Sequence, residues 1–575
     1  MEKLHICLNG KEAEVQKGVS ILEAAKQQGI FLPTLCHHPD HKVRANCRVC
    51  VVEVEGIKNL VASCSTPVAE GMKITTNSSR VRETVRTILE LILANHPREC
   101  LTCIRNGDCE LRKLAAKFCV RDVQGEKMKL AASLDMSTPA LVRNPNKCIK
   151  CGRCAEVCHG IQEVGILYTL NRSTEVCIAP EYGKKLSEVA CVLCGQCALA
   201  CPVGAIYEKD DTEIVWEAIS NPKKHVLVQV APSVRVSIAE EFGLPAGEIS
   251  TSKLISALRM IGFDRVFDTD FSADLTIIEE GHELLHRLKT GGVLPMLTSC
   301  SPGWINYIEN YYPELLPHVS TCKSPQQMFG ALAKTYYPQI SGIPAEDIFV
   351  VSIMPCTAKK YESQRPEMNS SGYRDVDAVL TTRELGRMLR YEGIEFNMLP
   401  DGEFDSPLGI STGAGAIFGA TGGVMEAALR TVYKAVTGKE LERLEFEEVR
   451  GMEGIKAVTV DLDGTEAKVA VAHGLANAKK MLERIKNREN DFSFIEVMCC
   501  PGGCIGGGGQ PYGINNEVRK KRMNALYRID RGMPIRKSHE NPAVKELYDN
   551  YLKKPLGEKS RKLLHTCYTS RSRLT

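Results

Sequence analysis

The residues of this sequence with the most chemistry to offer are its cysteines, and they are unevenly placed. The chain of 575 residues contains 25 cysteines; 18 of them precede residue 210 and seven follow it. A long chain in a compartment that keeps thiols reduced does not use cysteines for disulfides, and clusters at short, fixed spacings are typical of metal ligands. The first part of the sequence is therefore predicted to bind several metal centres.

The first cluster has the spacing C-x10-C-x2-C-x13-C and comprises Cys36, Cys47, Cys50 and Cys64. Four thiolates are what a [2Fe–2S] rhomb requires. A zinc ribbon, the alternative, prefers two C-x2-C pairs, and only one is present here. The cluster resembles that of a plant-type ferredoxin domain at the head of multicluster oxidoreductases, which favours iron and sulfide over zinc.

The second cluster adds a histidine to three cysteines: His96, Cys100, Cys103 and Cys109. Taken alone, one imidazole and three thiolates suit zinc as well as an iron–sulfur cubane. Beside the other motifs they favour a [4Fe–4S] site, whose neutral imidazole makes the cluster less negative and tends to raise its potential.

Two further runs repeat the bacterial ferredoxin spacing, in which the fourth cysteine of each run ligates the other cluster. One [4Fe–4S] cluster is therefore assigned to Cys148, Cys151, Cys154 and Cys201. The other is assigned to Cys191, Cys194, Cys197 and Cys158. Four other cysteines fit no ligand spacing and are predicted to be buried, where a free cysteine packs as a small apolar side chain: Cys7, Cys119, Cys177 and Cys567.

The elements that must position the first three sites form separate N-terminal segments. Residues 1–80 are predicted to be a small mixed α/β domain, ferredoxin-like and of the β-grasp type. In it Asn9-Gly10 supplies the turn of a hairpin, and helical spacing from Val19 stops at Gly29. Residues 81–125 are mostly helical around the His/Cys₃ site, and residues 126–210 form the bacterial two-[4Fe–4S] ferredoxin domain.

Residues 211–575 change to alternating strands and helices, so the chain is predicted to be multidomain, α+β then α/β. Apolar runs predict buried strands at Val226–Val230, Val293–Thr298 and Ile348–Met354. Ligands of open α/β sheets bind beyond the carboxyl ends of the strands. Three unusual segments are expected there: Thr298–Trp304 (TSCSPGW), Met354–Glu362 (MPCTAKKYE) and Glu496–Pro511 (EVMCCPGGCIGGGGQP).

The third of these segments has neither GK[ST] nor a GxGxxG fingerprint, which disfavours a nucleotide site. Cys356, Cys500 and Cys504 offer three thiolates for a further cubane. The glycines between and after them allow the backbone to approach a bulky inorganic ligand closely.

These three segments resemble the signature motifs of the iron-only ([FeFe]) hydrogenases, and essentially the whole chain resembles the clostridial multicluster form. The resemblance implies reversible reduction of protons to H₂, with electrons supplied through four accessory clusters. It implies an H-cluster, a [4Fe–4S] cubane joined through one cysteine sulfur to a diiron unit with CO, cyanide and a bridging azadithiolate. By matching position, Cys504 is the bridging cysteine, and Cys356 and Cys500 are further cubane ligands. It also implies a small-subunit-like segment at the C-terminal end of the H-cluster domain.

Other residues match positions around the diiron unit. Lys359 would donate a charge-assisted hydrogen bond to a cyanide, the alternative being a solvated surface lysine. The residues matched to the enclosing wall are Ala231, Pro232, Ser233, Gln326, Met354 and Met498.

The same match implies a proton path through Glu283, Ser320 and Glu280 to Cys300, which would face the bridging amine. On a helix, Glu279 and Glu283 would share a face. The sequence alone therefore also allows a solvated acidic face for these glutamates.

Ser301 departs from the family motif Thr-Ser-Cys-Cys-Pro, whose second cysteine ligates the cubane. Three interpretations remain open. The serine oxygen ligates iron, although the cluster prefers thiolate; Cys300 becomes the ligand and leaves the relay; or a nearby thiol, Cys322 or Cys499, replaces the missing one. We favour the relay role for Cys300.

Two rival classes account for parts of the sequence. Residues 1–210 also resemble the head of the large iron–sulfur subunit of respiratory complex I, an electron relay, but the second and third C-terminal segments argue against that. An iron–sulfur assembly factor is disfavoured, because such factors lack the full set of N-terminal clusters and the CCPGGC segment. A hydrogen sensor stays open as an alternative because Ser301 alters the first motif, although no sensory domain supports it.

Charge and hydropathy restrict the partners. A net charge of +3 gives no electrostatic case for nucleic acid or an anionic membrane. No apolar run approaches the ~18 residues of a membrane span, and the N-terminus lacks the apolar core of a signal peptide, so a cytoplasmic location is predicted. The expected partners are a ferredoxin or an NAD(H)-oxidising subunit, together with the maturation proteins that the family's diiron unit requires.

Anaerobic iron and sulfide analysis of residues 1–210 is expected to fit one [2Fe–2S] and three [4Fe–4S] clusters, because the motifs supply one ligand set for each. A metal content dominated by zinc would contradict this assignment.

Overall fold

The computed structural model describes residues 2–121, 133–439, 444–461, 466–489 and 491–571. The predicted boundary between the second and third segments, at residues 125 and 126, lies outside the described residues.

The N-terminal segment is a mixed sheet with a helix packed on it. Its elements are β1 (Lys3–Leu8), β2 (Lys11–Gln16), α1 (Ile21–Gln27), β3 (Val51–Val54), β4 (Val61–Ala62) and β5 (Lys73–Thr75). The strand order is β2-β1-β5-β3-β4, with β1 parallel to β5. The predicted hairpin is confirmed: Asn9 and Gly10 have φ values of 52° and 80° and join the antiparallel strands β1 and β2.

Short elements carry the next cysteine motifs. They are α2 (Ser79–Ala94), α3 (Glu110–Lys117), β6 (Leu141–Arg143), α4 (Arg153–Glu156), β7 (Tyr168–Leu170), β8 (Cys177–Ala179), α5 (Gln196–Ala200) and β9 (Ile206–Glu208). β6 pairs with β9 and β7 with β8, both antiparallel. The two helices of the cysteine runs, α4 and α5, begin at glycines in the left-handed region, Gly152 and Gly195.

The remainder of the chain is an α/β domain built on two sheets. Its strands are β10 (His225–Val230), β11 (Arg265–Asp268), β12 (Met296–Leu297), β13 (Ile348–Met354), β14 (Ala378–Thr381), β15 (Ile455–Asp461), β16 (Glu466–His473) and β17 (Phe494–Met498). The first sheet has the order β11-β10-β13-β14 and is entirely parallel. The second has the order β12-β17-β16-β15, in which only β15 runs antiparallel to its neighbour.

Helices cover both sheets. They are α6 (Thr212–Ser220), α7 (Thr251–Ile261), α8 (Thr269–Thr290), α9 (Pro302–Tyr311), α10 (Pro325–Ala333), α11 (Tyr336–Ser341), α12 (Ala358–Ser363), α13 (Thr382–Tyr391), α14 (Gly413–Ala416), α15 (Gly423–Thr437), α16 (Leu475–Lys486), α17 (Asn516–Gly532), α18 (Pro542–Leu547) and α19 (Glu558–Leu564). None of the helices in the described ranges combines the length and apolar character that crossing a bilayer requires.

The predicted strands at Val226–Val230 and Ile348–Met354 are confirmed as β10 and β13. The third, predicted over Val293–Thr298, is shorter and begins at Met296. Pro295 has no amide hydrogen, so it cannot donate to the ladder, and pairing starts after it. Three of the strands, β12, β13 and β17, lead into the three unusual segments of the sequence. The carboxyl end of β10 leads into Ala231, Pro232 and Ser233.

Candidate active site

A buried cavity lies where these strand ends meet the start of α9. The thiols on its wall come from three C-terminal segments and from one N-terminal run: Cys194, Cys300, Cys356, Cys499, Cys500 and Cys504. Five of the six predicted wall residues line it: Ala231, Pro232, Gln326, Met354 and Met498. The sixth, Ser233, is not among the lining residues. It lies behind Gly419, where a Cβ would come within 3.2 Å of the Ser233 Cβ.

The glycine-rich third segment runs too close to its neighbours for side chains. A Cβ on Gly508 would lie 2.3 Å from the Cys194 carbonyl oxygen. Gly503, with φ +91°, would place a Cβ 2.7 Å from the Thr421 nitrogen. Gly508 thus brings the segment directly against the cysteine run of the N-terminal half, and Gly503 brings it against the residues before α15.

Lys359 is buried beside the cavity, so the alternative of a solvated surface lysine is wrong. It is 8% exposed, and its Nζ donates to Glu362 Oε2 at 2.8 Å and to the Cys300 carbonyl at 3.2 Å. Glu362 also accepts hydrogen bonds from Ser324 Oγ at 2.8 Å and Gln326 Nε2 at 3.1 Å. Glu362 therefore orients both the cation and the amide at the cavity wall.

The glutamates of α8 are buried, so the alternative of a solvated acidic face is wrong. Glu279, Glu280 and Glu283 are 0%, 2% and 7% exposed. Glu279 turns away from the path and bonds to Tyr548 OH and Ser560 Oγ, both at 2.5 Å. Glu279 and Glu283 therefore have different hydrogen-bond partners, although their i, i+4 spacing predicts that they share one face of the helix.

The residues of the predicted proton path lie together. Ser320 Oγ donates to Glu283 Oε2 at 2.9 Å, and Arg287 Nη2 donates to Glu283 Oε1 at 2.6 Å. Burial and the charge of Glu283 raise the pKa of Glu280 to about 8. Burial, followed by the charge of Glu280, raises the pKa of the Cys300 thiol well above its usual range.

The accessory sites are gathered by short loops. One small cavity is lined by Cys148, Cys151, Cys154 and Cys201. A second is lined by Cys158, Cys191, Cys194 and Cys197. These are the two crossed sets predicted from the repeated run.

The thiols of the first motif are also neighbours. Cys50 Sγ lies 3.4 Å from Cys64 Sγ, and a hydrogen bond from Cys47 lowers the pKa of Cys36 to about 5. The charge of Cys36 acts on both Cys50 and Cys64, so the two pairs face one another. Four thiols at this range are the donor set of the predicted [2Fe–2S] cluster.

The His/Cys₃ motif is more open. The Nδ1 atom of His96 is buried without a hydrogen-bond partner, as an imidazole reserved for a metal would be. Lys147 Nζ donates to Cys103 Sγ at 3.4 Å. Cys100, joined to Cys103 by a turn hydrogen bond of 3.3 Å, is exposed.

The prediction for the four unassigned cysteines is wrong. Cys119 and Cys567 are exposed, and Cys7 and Cys177 are half-buried. Cys7 and Cys177 lie in strands at partly exposed positions, and Cys119 follows the end of α3.

Sequence reasoning missed Arg287 and Glu362 as site residues. Arg287 stands four positions after Glu283 on α8, a spacing that predicts an ion pair. Glu362 ends the second segment one helical turn after Lys359. The sequence shows both spacings, but only the fold shows that these two side chains lie beside the cavity and the predicted proton path.

The donor set and the wall fit an iron–sulfur group of the H-cluster type. Soft thiol donors suit iron–sulfur clusters. The Oε1 atom of Gln326 is a buried acceptor without a hydrogen-bond partner, so it is open to an N–H donor on a group bound in the cavity, such as the bridging amine.

Five family descriptions match the chain. They are iron only hydrogenase large subunit, C-terminal domain (residues 224–508), iron hydrogenase small subunit (516–571), 2Fe-2S iron-sulfur cluster binding domain (1–79), NADH-ubiquinone oxidoreductase-G iron-sulfur binding region (86–124) and 4Fe-4S binding domain (141–158 and 185–207). The chain therefore contains [2Fe–2S] and [4Fe–4S] binding regions ahead of a hydrogenase domain.

Relatives match over the whole chain. A subunit of an NADP-reducing hydrogenase from Solidesulfovibrio fructosivorans is 49% identical over 100% of both chains. Iron hydrogenase 1 from Clostridium pasteurianum is 42% identical over 98% of this chain and 99% of its own. The structure of a variant of [FeFe]-hydrogenase HydA1 from Chlamydomonas reinhardtii is 44% identical, with a TM-score of 0.57, and covers 63% of this chain and 100% of that one. Such similarity along the full length shows that the chain belongs to the iron-only ([FeFe]) hydrogenases and is an oxidoreductase that acts on hydrogen.

Proposed function

We propose that this chain interconverts protons and H₂, 2H⁺ + 2e⁻ = H₂, at an H-cluster held in the thiol-lined cavity. The observation that carries the proposal is that one buried cavity receives thiols for a cubane, a buried lysine and a thiol next to a buried glutamate. A pure electron relay would need the first of these features and neither of the others.

Cys356, Cys500 and Cys504, which line the cavity, would hold the H-cluster through their thiolates. When bound, the cluster supplies the iron centre at which protons and electrons combine. The apolar walls formed by Ala231, Met354 and Met498 exclude water from it.

Lys359 would bind the cyanide side of the cluster. An ammonium group has three N–H donors, and Glu362 and the Cys300 carbonyl account for two of them. The third is available for an anionic acceptor in the cavity, where low polarity strengthens a charge-assisted hydrogen bond.

Protons would travel through Glu283 and Ser320 to Glu280 and Cys300, with Arg287 fixing the Glu283 carboxylate at the outer end. Arg287 and Ser320 hold the Glu283 carboxylate from two sides. Because its pKa is about 8, Glu280 carries a proton at neutral pH and can donate it inward. The thiol of Cys300 also stays protonated between transfers, since burial raises its pKa.

Electrons would enter through one [2Fe–2S] and three [4Fe–4S] clusters at the four accessory sites. The run that contains Cys194 touches the cavity itself, so its cluster would be the last before the active site. A relative that is 49% identical over its full length is a subunit of an NADP-reducing hydrogenase. This supports a partner subunit that handles a nicotinamide, with ferredoxin as the other candidate donor and with maturation proteins that supply the diiron unit.

Replacing Glu280 with glutamine is expected to lower H₂ evolution from a reduced viologen dye by at least ~100-fold, because an amide cannot pass on the proton. The measurement uses protein produced with the maturation machinery. Glu279→Gln, one position away but bonded to Tyr548 and Ser560, is the matched control and should leave the rate nearly unchanged. Near-normal turnover by Glu280→Gln would remove this residue from the relay.

The same substitution is expected to change how stability depends on pH. Folding raises the pKa of Glu280 from 4.5 to about 8, so the folded chain keeps a proton that the unfolded chain loses in this range. Wild-type stability therefore falls by roughly 1.4 kcal/mol per pH unit from about pH 5 to pH 8 through this group alone, while Glu280→Gln lacks that contribution. Between pH 5 and pH 8 the apparent melting temperature of the wild type should therefore fall more than that of Glu280→Gln. Equal falls in the two proteins would show that Glu280 ionises normally.

A further inference from the structure

Ser301 and Cys499 are direct neighbours, although 198 positions separate them in the chain. Ser301 begins α9, and Cys499 follows β17 immediately. The Cys499 amide donates a hydrogen bond to Ser301 Oγ at 3.2 Å. One lone pair of the serine oxygen is therefore engaged by a backbone amide at the wall of the cavity.

The Cys499 thiol is buried on the same wall, beside Cys500. Its sulfur lies within hydrogen-bonding range of the thiols of both Cys194 and Cys500. A Cβ on Gly303 would lie 2.7 Å from the Cys499 sulfur. The sulfur thus fills the space above the first turn of α9, next to the position that the absent second cysteine of the motif would use.

The other two candidate thiols lie elsewhere. Cys300 lines the cavity on the side of Glu280, whose charge acts on its thiol, and is the inner end of the proton path. Cys322 is not among the lining residues of the cavity. Its sulfur lies 3.9 Å from Glu283 Oε2 and 4.0 Å from His565 Nδ1, beside the outer part of the proton path.

We propose that Cys499 supplies the fourth thiolate of the H-cluster cubane, completing the set formed with Cys356, Cys500 and Cys504. The proposal rests on the proposed function for the presence of that cubane. Iron–sulfur clusters prefer thiolate to a harder oxygen ligand, and binding releases the thiol proton to solvent as the iron–sulfur bond forms. Ser301 is then left outside the coordination sphere, with its oxygen accepting a hydrogen bond from the Cys499 amide.

Cys499 lies on the side of the cavity that faces the adjacent accessory cluster. Cys499 contacts Cys194, a predicted ligand of the adjacent accessory cluster. The coordination spheres of the two clusters would meet through these two sulfurs. Cys300 is left unligated and keeps its place in the relay.

The test uses the full chain produced without the maturation proteins, so that only clusters of iron and sulfide form. Iron and sulfide per chain and the EPR spectrum of the reduced protein are measured. Cys356→Ala identifies the signal of the cubane. Cys499→Ala should lose about four irons and that same signal, whereas Ser301→Ala and Cys322→Ala should keep both.

A double variant guards against a general folding defect. If Cys499→Ala loses all its iron, Ser301→Cys combined with Cys499→Ala decides the matter, because it returns a thiol to the neighbouring position. Recovery of the cubane signal supports the proposal, and failure to recover it overturns the proposal.

The remaining outcomes are also distinct. Retention of the cubane signal by Cys499→Ala overturns the proposal, and its loss in Ser301→Ala or in Cys300→Ala then identifies the true ligand. Loss of a signal that Cys356→Ala retains would place Cys499 on the accessory cluster and also overturn it. If Cys356→Ala removes no signal from the wild-type pattern, the cubane is absent, and the proposed function fails together with this inference.

Discussion

Soft thiol donors from distant parts of the chain must meet in one buried cavity with largely apolar walls, and the rest of the structure serves that requirement. Loops that carry such donors have little apolar surface of their own to bury, so buried ion pairs anchor them. Lys360, next to the cavity lysine, donates to Asp211 at 2.6 Å and to Glu384 at 2.8 Å. Removing one partner of such a buried pair typically costs about 3–5 kcal/mol, because the other charge is left unpaired.

The N-terminal cysteine run around Cys194 is part of the active-site wall rather than an attached module. Gln196 Nε2 donates to the Gly506 carbonyl at 2.8 Å, and Thr357 Oγ1 donates to the Leu193 carbonyl at 2.8 Å. A side chain at Gly508 would collide with the Cys194 carbonyl. This contact fixes the distance between the last accessory site and the cavity, and electron transfer depends on that distance. Arg383, paired with Glu208 and bonded to the Gly508 carbonyl, fastens the same junction from the other side.

Much of this arrangement could be predicted from the sequence because local chemistry specifies it. The Asn9-Gly10 hairpin, the strand Ile348–Met354 and the crossed cysteine sets follow from turn residues, apolar runs and ligand spacing. Long-range packing decided the rest. The glutamates of α8 have a helical spacing that fits a solvated face, yet all three are buried. Tyr548 bonds to Glu279, and Arg287 and Ser320 bond to Glu283. Likewise, the neighbour of Ser301 is a residue 198 positions away, which no local pattern reveals.

The unassigned cysteines show the opposite limit. Cys119 and Cys567 were predicted to be buried because free cysteines usually are, yet both are exposed. The general preference of cysteine for burial does not predict the exposure of a residue that follows the end of a helix or lies in a surface segment.

The central claim is that the thiol-lined cavity holds an H-cluster. Infrared spectroscopy of the full chain, produced anaerobically with the maturation machinery, tests it most directly, since CO and cyanide bound to iron absorb where protein does not. We predict CO and cyanide stretching bands in the preparation that evolves H₂. Absence of those bands in protein whose accessory clusters are fully loaded would contradict the claim and leave the chain an electron relay or a sensor.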